Sequence, residues 1–132
     1  MAKTFMQMVG EARQEVPALS PAEVQSRMQQ DPQTLMIDVR EPDALASTGV
    51  IHGAKNVPLG MLAIKADQEL PAEVRDEQLQ DRSQPVIVTC QRGGQAALGA
   101  KTLKDMGFTN VSFVEGGTEG WKEAGLPTEQ PK

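Results

Sequence analysis

The sequence predicts an α/β fold in which helices flank a central, mostly parallel sheet. Residues 34–39 (TLMIDV) and 85–89 (PVIVT) are short, almost unbroken apolar runs, and 110–114 (NVSFV) is a third candidate strand. Such runs are typical of strands that are covered on both faces, as in a parallel sheet. The segment 95–107 (QAALGAKTLKDMG) lies between the last two runs and has helical character. A strand, a helix and a strand in succession imply a right-handed crossover between parallel strands.

Two helices are predicted before the first strand. In residues 5–16 the apolar side chains recur at helical spacing, which indicates an amphipathic helix. In the next segment Ser20 is expected to cap a helix that has Pro21 at its first position, and Glu23 completes a capping box. This second helix is predicted to run to about Gln30.

The remaining segments carry weaker signals. The small side chains of 95–107 would let that helix press closely on the sheet. A short terminal helix is predicted within 116–127, with Trp121 as a packing residue. Residues 65–84 are highly charged and have few apolar residues that could anchor them to a core, so we expect a solvent-exposed loop that contains a helical turn. Residues 128–132 (TEQPK) are expected to be disordered.

Composition bounds the function classes. The chain has 132 residues, enough for one domain with a core of its own. Its 13 basic and 18 acidic residues give a net charge of -5, and with three Phe, one Trp and no Tyr there is little to stack on bases. A nucleic-acid partner is therefore not expected. One cysteine and one histidine exclude an internal disulfide and a Cys/His metal cluster, so we predict no metal and no cofactor.

The N-terminal residues do not resemble a targeting sequence. The segment MAKTFMQMVGEARQEV turns polar too soon to form the apolar core of a signal peptide. No stretch of the chain approaches the length of a membrane span. We therefore expect a cytoplasmic protein without a membrane partner.

The single cysteine stands at a chemically useful junction. Cys90 follows an apolar run directly and precedes Arg92, Gly93 and Gly94 and then an alanine-rich helix. The carboxyl end of a parallel strand is where open α/β sheets place their ligand crevice. Glycines allow successive N–H groups to turn inward, and such a loop stabilises a thiolate and holds an anion above it. An isolated cysteine is more often a small buried hydrophobe, but the glycine pair and Arg92 favour a reactive thiolate.

Four motifs, in this order, resemble the rhodanese family. They are DVRE (38–41), GVIHGAKNVP (49–58), the cysteine loop CQRGG (90–94) and EGG (115–117), which a tryptophan follows. The likeness covers about residues 19–127. It divides the chain into an N-terminal helical extension (1–18), a rhodanese-like domain (19–127) and a disordered tail (128–132).

The resemblance implies a rhodanese-like three-layer domain with sulfurtransferase activity. In such an enzyme Cys90 would accept a sulfane sulfur as a persulfide from a small anion such as thiosulfate and pass it to cyanide or a thiol. The resemblance does not distinguish a small thiol from a sulfur-carrier protein as the cellular acceptor. The positions that match the loop around the sulfur are Gln91, Arg92, Gly93, Gly94 and Gln95, while Asp38 and Arg40 match positions that support or border that loop. We interpret Arg40 as part of an ion pair at the rim of the site.

One departure from the family bears on substrate recognition. Many single-domain members have an arginine five residues after the cysteine and then a serine, whereas this chain has Gln95 and Ala96. Glutamine forms hydrogen bonds but carries no charge. We therefore expect anion recognition to depend on Arg92 and on backbone amides.

Two alternatives stay open. A cysteine phosphatase or arsenate reductase requires an arginine for bidentate contacts with an oxyanion, and the phosphatase pattern would place it at Ala96. A non-catalytic rhodanese-like binding or regulatory module is the second alternative, which Cys90 disfavours and Gln95 keeps open. His52 is the only candidate histidine base, but a thiolate stabilised by loop amides needs no base, so we leave His52 out of the catalytic set.

Overall fold

The computed structural model describes residues 2–132 as a five-stranded parallel sheet flanked by helices. The helices are α1 (Phe5–Glu15), α2 (Pro21–Gln30), α3 (Leu59–Ala66), α4 (Gly94–Asp105) and α5 (Gly117–Glu123). The strands are β1 (Ala18–Leu19), β2 (Leu35–Asp38), β3 (Lys55–Asn56), β4 (Val86–Thr89) and β5 (Val111–Val114). The predicted α/β class with a parallel central sheet is confirmed.

The order of the strands in the sheet is β1-β5-β4-β2-β3, and every pair is parallel. Asp38 at the end of β2 lies beside Thr89 at the end of β4. The carboxyl ends of these central strands therefore meet at one edge, where Cys90 follows β4 directly. The three longer strands are the three predicted ones, whereas β1 and β3 were missed because two residues are too few to form a pattern.

Two apolar layers hold the helices against the sheet. Side chains of α1, α3 and α4 pack on one face, and they include Val9, Ala12, Leu62, Ala97, Ala100 and Leu103. Val24 of α2 and Trp121 of α5 belong to a second cluster, together with Met36 and Ile87 from the strands. Alternate residues of β2 and β4 thus enter opposite layers, and their nearly continuous apolar character follows from burial on both faces.

The helix starts follow the local signals in the sequence. Ser20 caps α2 through the amide of Glu23, whose side chain accepts from the Ser20 amide, as predicted. Thr4 and Gln7 form an equivalent capping box on α1. The predicted terminal helix is also present as α5. Helix α3 was not predicted, since no side chain caps its first turn.

The charged segment 65–84 is more firmly held than expected. It contains the expected helical turn, a 3-10 turn at Glu77–Leu79, and Leu79 is fully buried. The guanidinium of Arg82 donates to the carbonyls of Ala66, Leu79 and Met106. One leucine and one arginine therefore anchor a segment whose composition indicated a solvent-exposed loop.

The expected disorder of 128–132 is wrong for its first two residues. Glu129 pairs with Val50 in an isolated antiparallel bridge, with both N–H···O distances at 2.8 Å. The Thr128 hydroxyl donates to the Thr48 carbonyl at 2.9 Å. These backbone partners lie far away in the sequence, so the polar composition of the tail did not reveal them. Among residues 2–132, no helix combines the length and the apolar character needed to cross a bilayer.

Candidate active site

Cys90 lies between the end of β4 and the start of α4. Its sulfur accepts hydrogen bonds from the backbone amides of Gly93 at 3.0 Å and Ala96 at 3.2 Å. Gly93 has φ +106°, a left-handed conformation that glycine adopts without strain and that precedes the helix as its N-cap. The loop thus turns amide groups onto the sulfur, as its glycines predicted.

The sulfur is buried but has polar neighbours. Cys90 is 2% exposed, and its Sγ faces two N–H donors rather than aliphatic carbon alone. Two amide donors and the N-terminal, positive end of the 12-residue helix α4 thus lie at this sulfur. One donor, Gly93, belongs to the 91–95 loop in which we expected the donors, and the other, Ala96, lies one residue beyond it.

The EGG motif (115–117) and the two residues that follow it contact the backbone of the cysteine loop. The amide of Thr118 donates to the Cys90 carbonyl at 2.8 Å, and the amide of Glu119 donates to the Gln91 carbonyl at 3.1 Å. Gly117 has φ +64°, and a Cβ there would lie 2.7 Å from the Arg92 nitrogen and the Gln91 carbonyl oxygen. A side chain at position 117 would therefore collide with the backbone that carries Cys90.

Asp38 and Arg40 form a buried ion pair. The Arg40 Nη2 to Asp38 Oδ2 distance is 2.7 Å, and Arg40 Nε is 3.0 Å from Asp38 Oδ1. The Arg40 side chain is 2% exposed and the Asp38 side chain is 1% exposed. The predicted ion pair is present, but it lies inside the protein and not at the rim, because the 42–49 segment folds over it.

Arg40 also connects that segment to the cysteine loop. Its Nη1 donates to Thr48 Oγ1 at 2.8 Å and to Gln91 Oε1 at 3.0 Å, and its Nη2 donates to the Gly49 carbonyl at 3.1 Å. Asn56 fixes the Arg40 backbone by donating to its carbonyl at 2.8 Å. Arg40 is therefore a structural junction between three chain segments.

Gln91 and Arg92 both contact Glu119. The Gln91 side-chain amide donates to the Glu119 carboxylate, and Arg92 Nε lies 3.4 Å from the same carboxylate. The Arg92 side chain is 82% exposed. The hydrogen bond from Gln91, assisted by the charge of Arg92, holds the pKa of Glu119 below its ordinary value against the opposing effect of burial. The charge of Arg92 is thus partly offset by a neighbouring anion.

The other candidates occupy distinct positions. Gly94 begins α4 against the Phe5 ring of α1, and Gln95 is exposed in the first turn of α4. His52 is 90% exposed and pairs with Glu129 at 3.0 Å, outside the contacts that surround Cys90. Within residues 2–132, no three His, Cys, Asp or Glu side chains lie together in a group that could hold a metal ion.

Sequence reasoning missed several residues that position the loop. Thr48, Asn56, Thr118 and Glu119 contact the cysteine loop or the Arg40 junction, yet they are not adjacent to Cys90 in sequence. Asn56 lies inside the quoted 49–58 motif, and Thr118 and Glu119 follow the EGG motif directly. The signal that the sequence offered for these residues was that each is a polar residue inside a motif or next to one.

Comparison with known proteins identifies the family. The family model described as rhodanese-like domain matches residues 20–124. The chain belongs to this family. Within it, the chain is 34% identical over 96 residues to thiosulfate sulfurtransferase 16, chloroplastic, of Arabidopsis thaliana, an alignment that spans 70% of this chain and 78% of the relative.

Solved structures agree with the rhodanese-like assignment. A protein of unknown function from Rhodopseudomonas palustris, described as a possible tyrosine phosphatase, superposes with a TM-score of 0.89 at 28% identity, over 98% of this chain and 96% of its own. The polysulfide-sulfur transferase homodimer of Wolinella succinogenes gives 0.75 at 31% identity, over 97% and 88%. The rhodanese-like relatives support a sulfurtransferase-type enzyme, with a sulfur donor and a sulfur acceptor as its substrates in general terms.

Proposed function

We propose that this rhodanese-like protein transfers a sulfane sulfur from a donor such as thiosulfate to a thiophilic acceptor through a persulfide on Cys90. The observation that carries the proposal is the pair of amide hydrogen bonds on the Cys90 sulfur, from Gly93 and Ala96. A sulfur held by N–H donors at a helix start is suited to react as a thiolate, which is the nucleophilic form of cysteine.

In the first step the Cys90 thiolate attacks the outer sulfur of the donor. A bond forms between Cys90 Sγ and that sulfur, the donor's own S–S bond breaks, and its electron pair leaves with sulfite when thiosulfate is the donor. The enzyme then carries a persulfide anion. The Gly93 and Ala96 amides, which already contact Sγ, stabilise the negative charge near the reacting atoms.

In the second step the acceptor attacks the outer sulfur of the persulfide. With cyanide, a C–S bond forms, the Sγ–S bond breaks, and its electron pair returns to Cys90 as thiocyanate leaves. A thiol acceptor leaves as a persulfide by the same displacement. No oxidant, metal or cofactor takes part in either step. The loop of Gln91, Arg92, Gly93, Gly94 and Gln95 surrounds the donor in this proposal.

Asp38 and Arg40 act as positioning residues. Arg40 donates to the Gln91 side chain at 3.0 Å, while the Gln91 carbonyl is held by the Glu119 amide. Gln91 is thus restrained at both ends, next to the nucleophile. Holding a reacting group in one geometry lowers the entropy lost on reaching the transition state.

The likeness to a possible tyrosine phosphatase makes phosphate-ester hydrolysis the second candidate. A cysteine phosphatase needs an arginine that binds the oxyanion through two hydrogen bonds. At the corresponding place this protein has Ala96, which is fully buried and gives only its backbone amide to the sulfur. Sulfur transfer is therefore the better-supported function.

The proposal is tested by Cys90→Ser. The protein is incubated with thiosulfate, desalted and treated with cyanide, and the released thiocyanate is measured beside the intact mass. The wild type is expected to gain the mass of one sulfur atom and to release an equivalent of thiocyanate. The serine variant is expected to do neither, because a hydroxyl is not ionised at neutral pH and carries no sulfane sulfur.

Circular dichroism is the control for folding, since serine is close in size to cysteine. Wild-type protein that forms no cyanide-labile sulfur with any donor would favour the non-catalytic module. Wild-type turnover by Cys90→Ser would disprove the nucleophile. Hydrolysis of a phosphate ester that depends on Cys90, without sulfur transfer, would favour the second candidate.

A further inference from the structure

We propose that the preferred sulfur donor is an organic molecule that carries an apolar group and no more than one negative charge, and not the inorganic dianion thiosulfate. This inference rests on the proposed sulfur transfer. It combines two features of the described residues, the pairing of charges at the cysteine loop and an apolar edge of α1 that borders the same loop.

Each arginine near the loop faces a carboxylate. Arg40 is bound by Asp38 in the interior at 2.7 Å, and Arg92 Nε is 3.4 Å from Glu119. Arg92 is the single charged residue in 90–95, where Gln95 is neutral. The cations of this neighbourhood are thus matched by anions, and backbone amides are the donors that contact the sulfur. Such a site can neutralise one negative charge more readily than two.

Helix α1 places apolar side chains beside this loop. The Phe5 ring atoms Cζ and Cε2 would be 3.1 and 3.2 Å from a Cβ built on Gly94, so the ring lies directly on the residue that follows Gly93. At the other end of α1, the Glu15 carbonyl accepts from Lys104 at 3.1 Å. Helices α1 and α4 therefore run in the same direction, and α1 begins at the Cys90 end of α4.

The apolar edge is exposed. Phe5 is 50% exposed although it contacts Gly94, and Met6 is 67% exposed. Met6 lies two helical turns before Arg13 on roughly the same face of α1, and Arg13 binds Glu115, which precedes the EGG glycines. Phe5 thus borders the cysteine loop, and Met6 lies beside Phe5 on the face of α1 that Arg13 joins to Glu115.

The edge is also held in place. The Arg13 guanidinium donates twice to the Glu115 carboxylate, at 2.7 Å each, and lies 5.5 Å from the centre of the Phe113 ring. Val9 and Ala12 of α1 are buried in the core. Helix α1 precedes residues 20–124, which the family model matches. The apolar edge is therefore held firmly against the rest of the fold.

These features fit a donor of the type R–SO2–S⁻ or R–S–SH with an apolar R. For a thiosulfonate, the Cys90 thiolate bonds to the outer sulfur, the S–S bond to the sulfonyl sulfur breaks, and the electron pair leaves with the sulfinate R–SO2⁻. For a persulfide, the same attack releases the thiolate R–S⁻, and the proton stays on the transferred sulfur. In both cases R would contact Phe5 and Met6.

Three donors separate charge from apolar contact. Methanethiosulfonate differs from the dianion thiosulfate by a methyl group in place of one charged oxygen, and benzenethiosulfonate adds a phenyl ring. Benzyl persulfide, as a fourth donor, tests whether a sulfonyl group is needed. Because donors differ in intrinsic reactivity, the effect of each substitution is compared for one donor at a time, as kcat/KM for thiocyanate formation.

Phe5→Ala and Met6→Ala remove the apolar edge. Each is expected to lower kcat/KM for benzenethiosulfonate and benzyl persulfide by about fivefold, from lost apolar contact, and to leave methanethiosulfonate and thiosulfate within about twofold of wild type. Leu70→Ala, which shortens an exposed apolar side chain of the 65–84 segment, is the matched control and should change no donor. An equal loss for all donors would indicate damage to the loop and overturn the inference.

Glu119→Gln removes the anion that faces Arg92. It is expected to raise kcat/KM for thiosulfate by about threefold relative to methanethiosulfonate at low salt, and the gain should diminish at high salt as the charge is screened. An equal change for both donors would overturn the charge argument. Failure of this inference differs from failure of sulfur transfer, because the latter requires that no donor produce a Cys90-dependent persulfide.

Discussion

The segment around Arg40 and the segment around Arg92 each have an arginine paired with a carboxylate, but one arginine is buried and the other is exposed. Arg40 is buried, pairs with Asp38 at 2.7 Å, and joins Thr48 and Gln91. Arg92 belongs to the cysteine loop itself but is 82% exposed and lies 3.4 Å from Glu119. The arginine that is farther from Cys90 in sequence is thus the one whose hydrogen bonds hold the chain segments of the site together.

The contrast teaches where the charge of this site is used. A buried ion pair that keeps all its hydrogen bonds fixes chain segments relative to one another, while removal of one partner leaves an uncompensated charge. An exposed pair contributes little to stability. Near Cys90, we propose that the Gly93 and Ala96 amides stabilise negative charge, while the buried Arg40 holds chain segments together.

The largest stability effect is expected for Arg40→Ala. It leaves the Asp38 carboxylate, which is 1% exposed, without its cation, so the free energy of unfolding should fall by about 3 to 5 kcal/mol. Chemical denaturation monitored by circular dichroism measures the change. The double variant Asp38→Ala/Arg40→Ala should lose less than the sum of the two single variants. Additive losses would contradict a coupled pair.

Gly117→Ala tests the close approach of the EGG motif to the backbone of Gln91 and Arg92. Its Cβ would lie 2.7 Å from the backbone of Gln91 and Arg92 at a φ of +64°, so we expect a loss of about 2 to 4 kcal/mol from left-handed strain and displacement of the loop. Gly53→Ala is the matched control, because Gly53 also has a positive φ but open space around it. Its loss should be limited to about 1 to 2 kcal/mol of strain. Equal losses would disprove the collision.

The pair Arg13–Glu115 should give a smaller, pH-dependent effect. The hydrogen bond and charge of Arg13 hold the pKa of Glu115 below its ordinary value, so its contribution is present above the unfolded-state pKa and is lost as pH falls through the folded-state pKa. Arg13→Ala should lower stability by about 0.5 to 1 kcal/mol at neutral pH. The difference from wild type should vanish in acid. A difference that persists there would point to lost packing on Phe113.

The smallest effect is expected for Arg92→Ala. An exposed pair with Glu119 should contribute almost nothing to stability, and the thermal midpoint should stay close to that of wild type. Thermal unfolding beside Arg40→Ala measures the contrast directly. A loss of stability comparable with that of Arg40→Ala would mean that both arginines hold the chain segments of the site together.

The sequence by itself determined the features that arise from neighbouring residues. The α/β class, the three longer strands, the capping box of Ser20 and Glu23, and the helix that starts beside Cys90 all follow from periodicity, capping and glycine. The amides around the Cys90 sulfur belong to this group, since both donors are within six residues of it. Such contacts form within one turn or loop, and the residues that make them therefore stand close together in the sequence.

Only the tertiary structure decided which distant segments meet. The parallel register of β2 and β4 brings Asp38 beside Thr89, and from there Arg40 reaches Gln91, 51 positions away in the chain. The same holds for Glu119 at the cysteine loop, for Phe5 on Gly94, and for the bridge of Glu129 with Val50. Long-range contacts depend on strand order and helix packing, which the local pattern of a single segment does not contain. The burial of Arg40 and the partners of Glu119, Phe5 and Glu129 therefore could not be read from the sequence.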